Sequence, residues 1–337
     1  MYHWRCHEDS TAENPESKRY AFEAGKNAIL AHYDRIGVKA RVENGEYLGL
    51  YRTHYIREYD PLISIIIPNK DHTDDLDRCI RAIEEKSSYR NYEYVIVENN
   101  STEKATFAYY QKLEEENPKA HIVYWEGKFN YSAINNFGIA HAKGEYLLLL
   151  NNDTEIINED CLEELLGCCM RSDVGAVGAR LYYEDETIQH AGVVIGFGGI
   201  AGHCFVQQKR GESGYCHRII CTQDYSAVTA ACMMVKREAY DAAGGLSEEL
   251  EVAFNDIDFC LKLQREGYLV VYNPYAELYH YESKSRGLDD TPEKVARFAR
   301  EIETFEKRWP EILKNGDPYY NPNLTLDSQD FSLRRNG

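Results

Sequence analysis

A chain of 337 residues has room for one large α/β unit and an appendage. Its 56 acidic against 38 basic side chains, a formal charge of -18, would repel phosphate backbones and anionic headgroups alike, so nucleic acid is not an expected partner. The opening Met-Tyr-His-Trp-Arg-Cys lacks a basic stretch followed by an apolar one, and no apolar run approaches the roughly 20 residues that span a bilayer; a soluble, cytoplasmic chain is expected.

In chain order, Asn14-Pro15 opens a helix in cap-then-proline order, with Ala21, Ala24, Ala28 and Ile29 as its face and Gly37 as its stop. Val38 to Val42 and Glu46 to Tyr51 flank Asn44-Gly45, a signal for a two-residue hairpin turn. Asp60-Pro61 breaks the pattern, because the residue before proline is pushed to extended geometry. Strand and helix then alternate. Leu62 to Ile67 is an apolar run suited to a strand buried on both faces, and Leu76, Cys79, Ile80 and Ile83 form a helical stripe. Tyr94 to Val97, Glu103 to Glu116, His121 to Trp125, Tyr131 to Ala142 and Tyr146 to Leu150 continue as strand, helix, strand, helix and strand. Such alternation implies a mostly parallel sheet between helices, a three-layer α/β/α domain whose ligand crevice lies beyond the carboxyl ends of the strands. Domains are expected at 1–60 (helix and hairpin), 61–286 (the α/β domain) and 287–337 (a C-terminal helix and tail). Tyr2-His3-Trp4 and Pro15-Glu16 recur at the same offset of 277 residues as Tyr279-His280-Tyr281 and Pro292-Glu293. The shared offset suggests that residues 1 to about 37 are the tail of a preceding, truncated module.

The ten cysteines sit mostly in apolar segments, as Cys79, Cys232 and Cys260 do, and read as reduced thiols. His203, Cys204, Cys216, His217 and Cys221 suit zinc by type, but the cluster has no C-x-x-C pair and its spacing is irregular. The 27 tyrosines offer flat faces that suit sugar rings, although packing at element edges is their ordinary role.

The sharpest chemical signal is Leu147 to Leu150 followed by Asn151-Asn152-Asp153, an apolar strand ending in three polar side chains at the crevice. A hard divalent cation takes one or two carboxylates and leaves positions for water and phosphate, so Asp153 is a candidate ligand and Asn151 could bond a ribose. A plain Asx turn is the competing reading. The first strand ends in Pro68-Asn69-Lys70-Asp71 and the second in Glu98-Asn99-Asn100-Ser101, so three strands deliver polar groups to one rim. Glu98 could accept from a base or ribose, and Asn100 tolerates a left-handed turn. No Gly-x-Gly-x-x-Gly or Walker loop follows the first strand, against dehydrogenases and P-loop enzymes. Phe254-Asn255-Asp256-Ile257-Asp258-Phe259 enters a helix; one of its acids is a candidate base, with N-capping as the alternative. His280 suits a metal or a structural role. The glycine-rich stretch from Gly192 to Gly202, between His190 and His203, reads as a loop near an acceptor.

Taken together, Ser64 to Pro68, Val95 to Ser101, Gly144 to Asp153, Phe254 to Asp258 and His280 resemble the family 2 inverting glycosyltransferases with the A-type, nucleotide-diphospho-sugar transferase fold. The resemblance implies a nucleoside-diphosphate sugar donor, a glycan or lipid-linked glycan acceptor, and bacterial surface-polysaccharide assembly, with a rhamnan among the products it suggests. A lipid-linked acceptor would bring the chain to the inner face of the membrane as a peripheral protein. It implies nucleotide-sugar contacts at Pro68, Asn69, Glu98, Asn100, Asn136, Asn151 and Asn152, Mg2+ or Mn2+ on Asp153 and His280, and Asp256 as catalytic base. Three positions depart from the family pattern: Asn151 and Glu98 where it has aspartates, and Asn255 where it has a glutamate. A nucleotidyltransferase and a catalytically silent glycan-binding module are the alternatives from other classes.

Overall fold

The computed structural model describes residue 3, residues 19–281 and residues 291–334. The Asn14-Pro15 helix start and most of the repeated segment, Tyr2, Trp4, Pro15 and Glu16, lie outside the described residues. Two compact units divide the chain, Met1–Tyr59 and Asp60–Gly337.

The first unit holds helix α1 (Arg19–Arg35) and an antiparallel pair, β1 (Ala40–Asn44) with β2 (Tyr51–Tyr55). Gly37, at φ 72, follows the helix as expected. Two local expectations change. The connection runs over residues 45–50, closed by Gly45 N–H to Leu50 O at 2.8 Å, and Gly49 rather than Gly45 takes positive φ, so Asn44-Gly45 does not make a two-residue turn. The predicted alanine face is exposed. The helix instead meets β2 one position round, where the Tyr51 hydroxyl donates to Phe22 O at 2.8 Å over the bare Cα of Gly25.

The second unit begins as the sequence reads: β3 (Ile63–Asn69), α2 (Thr73–Lys86), β4 (Tyr92–Asn99), α3 (Lys104–Glu116), β5 (Ala120–Trp125), α4 (Tyr131–His141) and β6 (Tyr146–Leu150). It continues with β7 (Thr154–Ile156), α5 (Cys161–Cys169), β8 (Val174–Tyr182), β9 (Ile188–His190), β10 (Val193–Ile195), β11 (Ala201–His203), β12 (Gln223–Asp224) and β13 (Cys232–Lys236). Then come α6 (Arg237–Ala242), α7 (Asn255–Arg265), β14 (Leu269–His280), α8 (Pro292–Arg308) and α9 (Pro310–Asn315).

These strands form a ten-stranded sheet in the order β12-β14-β8-β13-β6-β3-β4-β5, with β7 on β14 and β9 on β8. The four strands β6-β3-β4-β5 are parallel, and the sheet becomes mixed at β13, which runs antiparallel to both β6 and β8. Ile63, Ile65, Ile66, Ile67, Val95 to Val97 and Leu147 to Leu150 are all essentially inaccessible, as strands covered on both faces require. Helix α4 can sit against β3 and β4 because Gly138 has no side chain; a Cβ there would lie 2.6 Å from Val97 and 2.7 Å from Ile66. The glycine-rich stretch is a β10–β11 hairpin rather than an open loop, and Gly196, Gly198 and Gly199 supply the positive φ angles of its tight connection. All nine described cysteines are free, and burial pushes the Cys79 thiol up to about 12.

Candidate active site

Three parallel strands end at one rim, and their last residues are tied together. Asn152 Nδ2 donates to Asn69 Oδ1 at 2.6 Å, and Asn69 Nδ2 donates to the Tyr110 hydroxyl at 2.8 Å. That hydroxyl donates to Glu98 Oε2 at 2.9 Å, where Ser101 Oγ also donates at 2.6 Å. This buried network joins the ends of β6, β3 and β4 and fixes the rim before any ligand arrives.

Residues 127 apart in sequence meet through the β7–β14 pairing, in which Thr154 faces His280 and Tyr281 N–H donates to Asp153 O at 2.9 Å. His280 Nε2 then lies 3.2 Å from Asp153 Oδ1, with both side chains nearly buried. Gln189 fixes the ring. Its Nε2 lies 3.4 Å from the His280 carbonyl, which can only accept, so its Oε1 faces His280 Nδ1 at 2.6 Å and Nδ1 carries the proton of the neutral ring. When the ring is neutral its Nε2 lone pair faces Asp153 Oδ1 and the Asn151 amide, whose Nδ2 is 3.2 Å away. Two acceptors at this separation on a pocket wall fit a shared divalent cation, with the other positions left to water and phosphate. Among the described residues no three His, Cys, Asp or Glu side chains gather as a closed metal cage. Asn151, the residue that departs from the acidic pattern, is bound to protein: its Oδ1 accepts from the Tyr131 hydroxyl at 3.3 Å. Burial, reinforced by the charges of Asp256 and Asp153, pushes the Tyr131 phenol up and keeps it protonated.

Asp256 and Asp258 part company. Helix α7 begins after Phe254, which sits at φ 61 and supplies no side-chain cap, and neither acid stands at the N-cap position. Asp256 is half-buried at the pocket wall, its Oδ2 accepting from Ala230 N–H at 3.2 Å and its Oδ1 from Ile257 N–H at 2.9 Å. Asp258 lies away from the pocket, fully buried, accepting from Ser247 Oγ at 2.6 Å, Trp309 Nε1 at 2.9 Å and Arg308 at 3.0 Å. It anchors the C-terminal helices to α7. Asp258→Ala is expected to cost about 3–5 kcal/mol, the penalty for stranding buried partners, and thermal melting of the purified variant checks it.

A cavity of about 720 Å3 gathers Pro68, Asn69, Asn151, Asn152, Asp153, Asp256 and His280 on its walls. Glu98, Asn100 and Asn136 are not among them. The Glu98 carboxylate serves the network beneath the rim, and its neighbour Asn99 reaches the cavity instead. Asn100 has the expected positive φ of 57, but its amide donates to Gly127 O at 2.9 Å. Asn136 pins the loop before α7: its Oδ1 accepts from Leu246 N–H at 3.0 Å and its Nδ2 donates to Leu246 O at 2.9 Å and Glu248 at 3.0 Å. Gln189, Tyr131, Lys294 and Arg297 line the cavity unforeseen. His190, beside Gln189, is a packing residue: burial and the neighbouring His203 and His280 hold it well below its ordinary value, and its ring meets His203 edge-on at 4.8 Å.

Residues 64–241 match the model described as glycosyl transferase family 2, and the chain belongs to that family. It is 45% identical over 335 residues to the uncharacterized protein y4gI of Sinorhizobium fredii, covering 99% of this chain and 37% of that protein. To the O-antigen biosynthesis protein RfbC of Myxococcus xanthus it is 36% identical over 337 residues, covering 99% of this chain and 26% of that protein. The chain thus spans well under half the length of both relatives. Among solved structures, GalNAc-T7 with UDP, GalNAc and Mn2+ superposes with a TM-score of 0.62 at 15% identity, covering 89% of this chain and 58% of that one. The shared architecture is the A-type glycosyltransferase fold.

Proposed function

We propose that the chain moves a sugar from a nucleoside-diphosphate sugar to a hydroxyl of a glycan or lipid-linked glycan, with inversion, in bacterial surface-polysaccharide assembly. One observation carries the reading: Asp256, the Asp153–His280 pair and the strand-end residues Pro68, Asn69 and Asn99 all line a single cavity. In this reading Asp256 accepts the proton of the acceptor hydroxyl while that oxygen attacks the anomeric carbon. The bond to the diphosphate oxygen breaks on the opposite face, and the nucleoside diphosphate leaves with the electron pair. Mg2+ or Mn2+ held by Asp153 and His280 would neutralise the charge developing on the diphosphate. The rim around Pro68 and Asn69 holds the nucleotide half. No covalent intermediate on the chain is needed. Support for surface-polysaccharide assembly comes from the likeness to the O-antigen biosynthesis protein. A preceding transferase module in a longer protein rests on the 277-residue offset between Tyr2-His3 and Tyr279-His280.

The test is a thermal-shift panel of nucleoside diphosphates and UDP-, GDP- and dTDP-sugars, rhamnose donors included, with and without Mn2+. A ligand at about 100 times its Kd should stabilise the fold by about 2.7 kcal/mol. Nucleoside diphosphate released during turnover supports the transferase; pyrophosphate released from a nucleoside triphosphate would assign a nucleotidyltransferase. Gln189 gives a finer check. Gln189→Leu removes the acceptor that holds His280 Nδ1–H, so Mn2+ affinity read by electron paramagnetic resonance should fall by about 10- to 100-fold, as loss of an outer-shell partner does.

A further inference from the structure

The main cavity does not end at the catalytic groups. Its wall includes Val206 and Gln329, and the same two residues line a second cavity of about 470 Å3. The two therefore adjoin at these residues. A nucleotide sugar is served by one pocket of ordinary ligand size, about 300–1,000 Å3, and the first cavity already supplies that. The second begins where the donor's requirement is met.

Two segments build this groove. One is the turn at residues 205–208 after the β10–β11 hairpin, and the other is the stretch at 326–330 near the chain's end. They are fixed to each other: Phe205 N–H donates to Gln329 O at 2.9 Å, and the Phe205 ring stacks on Phe331 at 4.6 Å with an interplanar angle of 5°. The turn is also tied to β9, where Gln207 N–H donates to Ile188 O at 2.8 Å. Phe205 and Gln207 are held at φ 59 and 66, a conformation costly for residues with side chains and kept only where surrounding contacts impose it.

The lining chemistry selects a ligand class. Gln207, Gln208 and Gln329 offer amides that both donate and accept, while the Ser328 hydroxyl is bonded to Asp330 and holds the 326–330 stretch. Leu326 presents an apolar surface that remains 42% exposed. The lining contains Asp327 and Asp330 and no basic residue, so phosphate and other anions are disfavoured. Alternating hydroxyls and C–H faces are what a neutral sugar chain presents.

We infer that this groove is an acceptor subsite for a neutral oligosaccharide, receiving the sugar units behind the one whose hydroxyl faces Asp256. The inference rests on the transferase reading and adds to it where the acceptor runs. The test uses the full chain on an array of defined neutral oligosaccharides, with nucleotide binding measured in parallel. Binding to at least one oligosaccharide is expected. Ser328→Trp, which fills the groove, and Gln208→Ala, which removes one amide, should each weaken that binding by about tenfold or more, the loss of a well-placed contact. Neither residue lines the main cavity, so UDP affinity should stay with the parent's. Gln208→Ala keeps the test valid if the tryptophan variant does not fold. No oligosaccharide bound by the parent chain, or binding undiminished in a folded variant, would overturn the groove. Absence of nucleotide binding would instead sink the transferase reading, and the saccharide measurement would still decide the groove.

Discussion

Asp256→Asn is expected to lower sugar transfer by about 100- to 10,000-fold, the range general bases contribute, while nucleotide-diphosphate affinity stays close to the parent's. The substitution preserves shape and removes proton-accepting ability. It is a clean probe because Asp256 lies inside the first turn of α7 rather than at its N-cap, and an asparagine there can still accept from a backbone N–H, so loss of the helix start would not account for a loss of turnover. The asparagine oxygen can retain one of the two backbone donors, from Ala230 and Ile257, and stability should change little. Turnover of the purified variant at saturating donor and Mn2+, set against calorimetric nucleotide affinity, separates chemistry from binding. Near-normal turnover would remove Asp256 from the mechanism. Asp258 does not compete for the role, since Ser247, Trp309 and Arg308 enclose its carboxylate away from the cavity.

What the sequence reveals depends on whether burial follows a simple period. The segments from β3 to β6 were legible because strands covered on both faces must be apolar throughout and their helices carry one apolar stripe. The β2 strand, Tyr51–Tyr55, is half-buried along its whole length, so no alternation betrays it, and the Asn-Gly signal upstream draws the strand to the wrong side of Gly49. The glycines from Gly192 to Gly202 hide a hairpin because their positive φ angles serve a turn, while pairing rests on backbone groups that composition does not record. At the site, the polar residues Asn69, Asn151, Asn152 and Asp153 that close apolar strands lie on the cavity wall. Spacing could not tell Glu98 from Asn99, where a single step along a strand decides which side chain meets the cavity and which sits in the network below. Gln189 was invisible for a different reason: its role comes from the contact between β9 and β14, elements remote in sequence, and a lone glutamine carries no local signature.

Asp153→Ala and His280→Ala are each expected to abolish the Mn2+-dependent part of nucleotide binding, with losses beyond the roughly 10- to 100-fold typical of outer-shell partners. The argument starts from charge. In the neutral tautomer set by Gln189, His280 Nε2 and Asp153 Oδ1 are both acceptors 3.2 Å apart, and their mutual repulsion is relieved by a cation that the diphosphate also needs. With Asn151 committed to Tyr131 and His280, Asp153 is the carboxylate of the Asn151-Asn152-Asp153 turn that remains to hold it. Mn2+ binding by electron paramagnetic resonance and UDP binding by calorimetry, each with and without the other ligand, read the two contributions separately. In metal-free buffer both variants should bind UDP as the parent does, because the rim at Pro68 and Asn69 is left intact. Unchanged Mn2+-dependent affinity in Asp153→Ala would remove the metal from this site. Loss confined to Asp153→Ala would make His280 a structural residue that closes the β7–β14 pairing, and the effect predicted for Gln189→Leu on Mn2+ would then vanish with it.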